Sequence, residues 1–304
     1  MTSKKSNNNS IVFFGTGQTS LEALQCLSEE FTIELVVTKP PATNSAGRPF
    51  KNPVHSWAED NGVAVINPKD KLELEGLLEK ANLKSKLGIV LDFGMIIPSV
   101  VIDMFDMGIL NSHFSLLPKY RGANPIRAAI LNGDKTSGVT IIRITPGLDD
   151  GSIITWSEVD IIGLTATELR EELSKINCAL LPETVSLYLN GQLEPIEQDE
   201  QEATHTHKTA KADGQIDTSK SPEVLAQEVL AYSGWPKSYI TINNKEIIII
   251  EAKPSNVSAP KGELKVDNKK LYLGCSGGSL EISKIQPQGK APMDAQGFIN
   301  GYLK

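Results

Sequence analysis

Residues 108–127 read GILNSHFSLLPKYRGANPIR, and the rest of the chain is organised around this stretch. The apolar run Ile109–His113 reads as a strand that ends in a loop, and Pro125–Leu131 reads as a helix. Residues two apart on a strand share a face, so Asn111 and His113 aim together at one spot. Open α/β sheets place their ligands at the carboxyl ends of such strands. An amide and an imidazole converging there form an oxyanion and proton-transfer pair. A strand-end Asn and His also satisfy loop backbone groups, and the spacing leaves both readings open.

The pattern repeats on the amino-terminal side. Ile11–Gly15 (IVFFG) is a buried strand, and Ser20–Glu30 carries Leu21, Leu24 and Leu27 at helical spacing. Ile33–Thr38 is the next strand, followed by a Pro, Ala and Gly-rich loop from Lys39 to Pro53. Val54–Asn61 is a helix, Val63–Ile66 a strand, Pro68–Ala81 a helix and Leu87–Leu91 a strand. Beyond the central stretch, Val139–Thr145 and Ile153–Val159 are β-rich and close enough to pair, and Thr165–Leu189 is one long amphipathic helix. Alternating strands and helices predict a mostly parallel, Rossmann-like α/β sheet covered on both faces over residues 11–190. Residues 191–208 are polar and acidic, the composition of a linker. From 209 to 304, short β-rich runs (Ser238–Ile242, Glu246–Ile250, Leu271–Gly274, Ser279–Ile285) follow one helix, Pro222–Tyr232. That is the pattern of a small OB-like β-barrel domain.

The 304 residues suit two domains. No apolar run approaches the ~20 residues that span a bilayer. Residues 1–10 are expected to be a short disordered tail, polar, low in complexity and without the apolar core of a secretory signal. A cytoplasmic protein without a membrane partner is expected, and a monomer. Cys26, Cys178 and Cys275 lie far apart and are expected as buried thiols. The net charge of −7 argues against wholesale nucleic-acid coating. From His205 onward 13 lysines face 10 acidic residues, whereas the first 204 residues hold 17 basic and 27 acidic ones. A mildly basic back half fits a domain that touches a polyanion.

Two further segments carry possible chemistry. Gly15-Thr16-Gly17 opens a strand-to-helix turn. Ser20 stands where a third dinucleotide-binding glycine belongs, and Lys39 where the ribose-binding acid belongs, so a dinucleotide site is disfavoured. Thr145–Gly151 (TPGLDDG) puts two acids in a glycine-flanked loop. A hairpin turn explains that composition by itself. A carboxylate there beside His113 would instead orient the imidazole.

Taken in order, these segments resemble the 10-formyltetrahydrofolate-dependent formyltransferase family. Its signatures are matched by Asn111-x-His113, Ser115–Pro118, Tyr120–Gly122, Pro125-Ile126, Gly138–Thr140 and Gly147–Asp149. Phe93–Pro98, Asp213–Asp217, Gly234–Pro236 and Gln286–Met293 extend the likeness through most of the chain. The resemblance is nearest to members that formylate the methionine carried by initiator tRNA. It implies Asn111, His113 and Asp149 as the catalytic residues. It implies Ser115, Leu116, Leu117 and Pro118, Phe93, Gly94 and Met95, and Gly147, Leu148 and Asp150 as the folate border. It further implies 10-formyltetrahydrofolate as formyl donor, no metal, and initiator methionyl-tRNA as the partner, met by Arg48 and Lys51 in the 40–53 loop. The chemistry implied is direct attack of the amine on the formyl carbon, with Asn111 and protonated His113 donating to the formyl oxygen. Gly17 replaces the family's usual proline, and Ser152 replaces a frequent acid. An enzyme formylating a nucleotide-linked amino sugar is the alternative on the same scaffold, and a non-catalytic RNA-binding protein is the alternative from another class.

Overall fold

A computed structural model describes residues 9–43, 49–50, 52–242 and 245–303. Contacts divide the chain into two compact units. One gathers Met1–Gly122, Gly138–Val159 and Glu172–His205, and the other Ala123–Ser137, Asp160–Glu171 and Thr206–Lys304.

The first unit is built on a seven-stranded sheet. Its strands are β1 (Ser10–Gly15), β2 (Thr32–Val37), β3 (Ala64–Ile66), β4 (Gly88–Leu91), β5 (Ile109–His113), β6 (Thr136–Arg143) and β7 (Ile153–Asp160), in the order β7-β6-β5-β4-β1-β2-β3. Strand β1 pairs in parallel with both β2 and β4, and β4 with β5, whereas β6 runs antiparallel to β5. The near-continuous apolar runs of β1 and β4 follow from burial on both faces. Val12 and Phe14 of β1 pack with Leu74 and Leu78 of the helix Lys71–Ala81. Phe14 meets Phe93 edge-on, with ring centroids 5.7 Å apart.

Chain order reverses between β1 and β4, and their carboxyl ends flank the crevice where such sheets bind ligands. The first turn there is sterically demanding. A Cβ on Gly15 would lie 2.7 Å from Ser20 Cβ, so glycine is needed for packing alone. Ser20 Oγ donates to Leu91 O at 2.6 Å and ties the start of helix α1 (Gln18–Glu30) to the end of β4.

The long helix α2 (Ala166–Leu189) carries the cysteine result. Cys178 forms a disulfide with Cys26 of α1, their Cα atoms 5.5 Å apart, so the expectation of three free thiols fails. The two helices lie side by side, a proximity that a separation of 152 residues along the chain does not reveal. Cys275 stays free and buried.

The second unit contains a mainly antiparallel sheet with the central strands Lys245–Ser255, Gly278–Pro287 and Lys270–Cys275. Ile249, Leu271, Leu273, Leu280, Ile282 and Ile285 fill its core with Leu225 and Val229 of the helix Pro222–Ala231. The sequence missed its final helix, Ala295–Tyr302, whose Asp294 cap accepts from Gly297 N at 2.7 Å. The segments 123–137 and 160–171, expected in the first domain, cluster with this unit. No helix among the described residues is long and apolar enough to cross a membrane.

Titration of the unfolded, unreduced protein with a thiol reagent is expected to give one thiol per chain, and three after reduction. Three thiols before reduction would remove the Cys26–Cys178 bond.

Candidate active site

The end of β5 alternates faces as a strand must. Ser112 points one way, is buried, and donates to Asn177 Oδ1 of α2 at 2.5 Å. Asn111 and His113 point the other way and meet the Thr145–Gly151 loop. Asn111 Nδ2 donates to Asp149 Oδ1 at 3.2 Å, and Gly122 N donates to Asp149 Oδ2 at 2.8 Å. His113 Nδ1 lies 3.6 Å from the same Oδ2. The three residues separated in sequence therefore converge around the Asp149 carboxylate.

The histidine is held differently from the expectation. His113 Nε2 is 2.9 Å from Tyr120 O, and a carbonyl only accepts, so Nε2 carries the proton of the neutral ring. At 3.6 Å Asp149 is beyond hydrogen-bonding range of Nδ1. Tyr120 orients the imidazole, and Nδ1 is the nitrogen presented beside the Asp149 carboxylate. Tyr120 has a left-handed backbone with φ of 65°.

Asp149 is also left-handed, with φ of 52°. Such a conformation costs a non-glycine residue about 1–2 kcal/mol, so the surroundings must fix it. Gln198 Nε2 donates to Asp149 O at 2.8 Å and to Gly151 O at 2.7 Å. A Cβ on Gly151 would lie 1.8 Å from the backbone oxygen Arg143 O, so that glycine is forced by close approach. Thr145 Oγ1 donates to Asp150, and Ser152 Oγ to Glu197.

Arg121 is only 3% exposed. It donates through Nε to Gln198 and through Nη2 to Glu200 at 2.8 Å. The Glu200 hydrogen bond raises the guanidinium above its ordinary value, and Arg121 lowers the Glu200 carboxyl. The depressed carboxyl gives this pair its contribution at neutral pH, lost only as pH falls below the ordinary glutamate range.

The other expected residues divide. Ser115 is fully buried and its hydroxyl donates to Lys119 O at 2.7 Å within the loop, and Leu117 is buried with its backbone amide donating to Thr140 Oγ1 of β6. Leu116 packs against Gly138, and Phe93 lies in the core. Pro118 follows a cis bond. Gly94 and Met95 lie just past β4, and Met95 packs against the core of the sheet. Leu148 is 54% exposed, an apolar side chain on the Thr145–Gly151 loop. Asp92 lies beside Gly17, and its surroundings push its carboxyl up while Lys39 opposes the rise. Arg48 and Lys51 lie outside the described residues. Among the described residues no group of three or more His, Cys, Asp or Glu gathers as metal ligands.

Sequence reasoning missed Tyr120 O, Gly122 N and Gln198. The first two act through the backbone and leave no residue-type signal. Gln198 stands in a stretch whose acidic composition reads as a linker.

The formyl transferase family profile matches residues 9–185, and that of the formyl transferase C-terminal domain matches residues 208–303. The chain belongs to the formyl transferase family. It is 33% identical to the methionyl-tRNA formyltransferase of Hydrogenovibrio crunogenus over 95% of this chain and 94% of that one. Identity to the enzyme of that name from Clostridium novyi is 32%, covering 96% of each chain. Among solved structures, an N-formyltransferase from Helicobacter canadensis, with folinic acid and dTDP-3-aminofucose, superposes with a TM-score of 0.66 at 22% identity, covering 90% of this chain and 97% of that one. The methionyl-tRNA formyltransferase of Clostridium thermocellum superposes with a TM-score of 0.55 at 17% identity, covering 90% and 98%.

Nitrogen-15 NMR of the neutral His113 ring is expected to place the proton on Nε2. A proton on Nδ1 would contradict the role given to Tyr120 O.

Proposed function

We propose that this enzyme transfers the formyl group of 10-formyltetrahydrofolate to the amino group of methionine carried by initiator tRNA, as a cytoplasmic monomer. The observation that carries the reading is the convergence of Asn111, His113 and Asp149 at the end of β5. Two relatives above 30% identity that span nearly the whole chain support the tRNA acceptor. Folate-derived donors are the family's formyl source.

The residues present suit such a donor. The exposed Leu148 and half-buried Met95 are apolar side chains for an aromatic ring system, and Asn111 and His113 at the end of β5 are polar groups for the reacting centre. The bound donor supplies an activated formyl carbon. The acceptor nitrogen bonds to that carbon, the carbon–nitrogen bond to the folate breaks, and the departing nitrogen takes a proton as the acceptor loses one. Asn111 Nδ2 donates to the formyl oxygen as charge develops there. His113, in its protonated form, donates through Nδ1, because Nε2 is committed to Tyr120 O. Losing one such donor costs about 10²–10³ in rate. Asp149 fixes Asn111 and the Gly122 amide and accepts the acceptor's proton. Arg48 and Lys51 contact the acceptor stem, and residues 209–304 contact the tRNA beyond it, with 11–190 as the transfer domain.

The test supplies 10-formyltetrahydrofolate with three acceptors in parallel: initiator methionyl-tRNA, elongator methionyl-tRNA and a nucleotide-linked amino sugar. Selective formylation of the initiator species is expected. Transfer to the sugar nucleotide alone would overturn the acceptor and keep the chemistry. Arg48→Ala is expected to weaken use of tRNA while folate binding persists, and unchanged tRNA kinetics would remove that loop from the account.

A further inference from the structure

Residues 196–204 bond to the start of β7 and to the two loops that carry the site. Ile196 exchanges backbone hydrogen bonds with Ile153, at 2.7 and 2.8 Å. Thr204 donates from its amide to Pro118 O and accepts at its carbonyl from Arg121 N, and its Oγ1 accepts from Tyr120 N at 2.8 Å. Tyr120 in turn holds His113. Between these ends lies Gln198, 9% exposed, with both oxygen and nitrogen of its amide engaged.

Only a primary amide fits that position. Two N–H groups are needed for the Asp149 and Gly151 carbonyls, and one oxygen must accept from the buried Arg121 Nε. A carboxylate would face two carbonyls with no proton to donate. An aliphatic side chain would leave buried acceptors and a buried cation short of partners, each costing about 1–3 kcal/mol. The two carbonyls belong to the turn that holds Asp149 at positive φ, the conformation that aims its carboxylate at Asn111 and Gly122.

We infer that Gln198 is a positioning residue for formyl transfer, setting the Asp149 carboxylate from behind by clamping the backbone of residues 149–151 to Arg121. It touches neither substrate and acts through Asp149. The inference rests on the reading of Asn111, His113 and Asp149 as the catalytic group.

The experiment compares Gln198→Glu, Gln198→Ala, Asp149→Ala and the double variant Gln198→Ala/Asp149→Ala in the full-length protein, each checked by circular dichroism and thermal melting. Misplacement of a reacting group by about 1 Å costs on the order of 10² in rate. The Gln198 variants are therefore expected to lose about 10²-fold in kcat, with KM for donor and acceptor within about twofold. The double variant is expected to be no slower than Asp149→Ala, because Gln198 has nothing left to position. Two results would overturn the inference: wild-type kcat in a folded Gln198 variant, or losses that multiply in the double variant. Should Gln198→Glu not fold, Gln198→Ala and the double variant still decide. Full activity in Asp149→Ala would instead sink the catalytic reading beneath it.

Discussion

The Asp149 carboxylate takes one donor on each oxygen, the Asn111 side-chain amide on Oδ1 and the Gly122 backbone amide on Oδ2. Those donors come from the end of a sheet strand and from the loop that follows it, so a single charged group fixes both. His113 completes the arrangement, its ring anchored on Tyr120 O two residues before Gly122. The surrounding architecture answers to this constraint. Ser112 locks the strand end onto α2 through Asn177, Gly151 permits close approach of the Arg143 backbone, and Gln198 holds Asp149 in its left-handed conformation. Each residue at 111, 112 and 113 thus has a different task, and strand alternation separates them.

Much of this was legible in the sequence for physical reasons. The apolar runs of β1, β4 and β5 are buried on both faces and announce themselves without context. The period of two placed Asn111 and His113 on one side before any fold was known. Asp149 was different. A glycine-flanked pair of acids has an ordinary explanation as a turn, and only the ordered series of family motifs raised it to a candidate.

What was not legible is what depends on the backbone or on distant segments. Nothing in the identity of Tyr120 or Gly122 says that a carbonyl and an amide serve the site. Arg121 is one residue of the Tyr120–Gly122 motif, and its identity names no partner. Its commitment to Glu200 and Gln198 requires residues 198–204 to return to the loop, and composition cannot report that. The Cys26–Cys178 bond has the same origin, since it depends on which helices lie side by side.

The central claim is that the two oxygens of Asp149 have distinct, simultaneous partners at the reacting centre. The single-turnover rate of formyl transfer in Asp149→Asn tests it most directly. The substitution keeps size and shape but places an amide NH₂ against one of two N–H donors. A fall of about 10²-fold or more, with folate binding and thermal stability near those of the unaltered protein, is the predicted result. A single-turnover rate equal to that of the unaltered protein would contradict the claim.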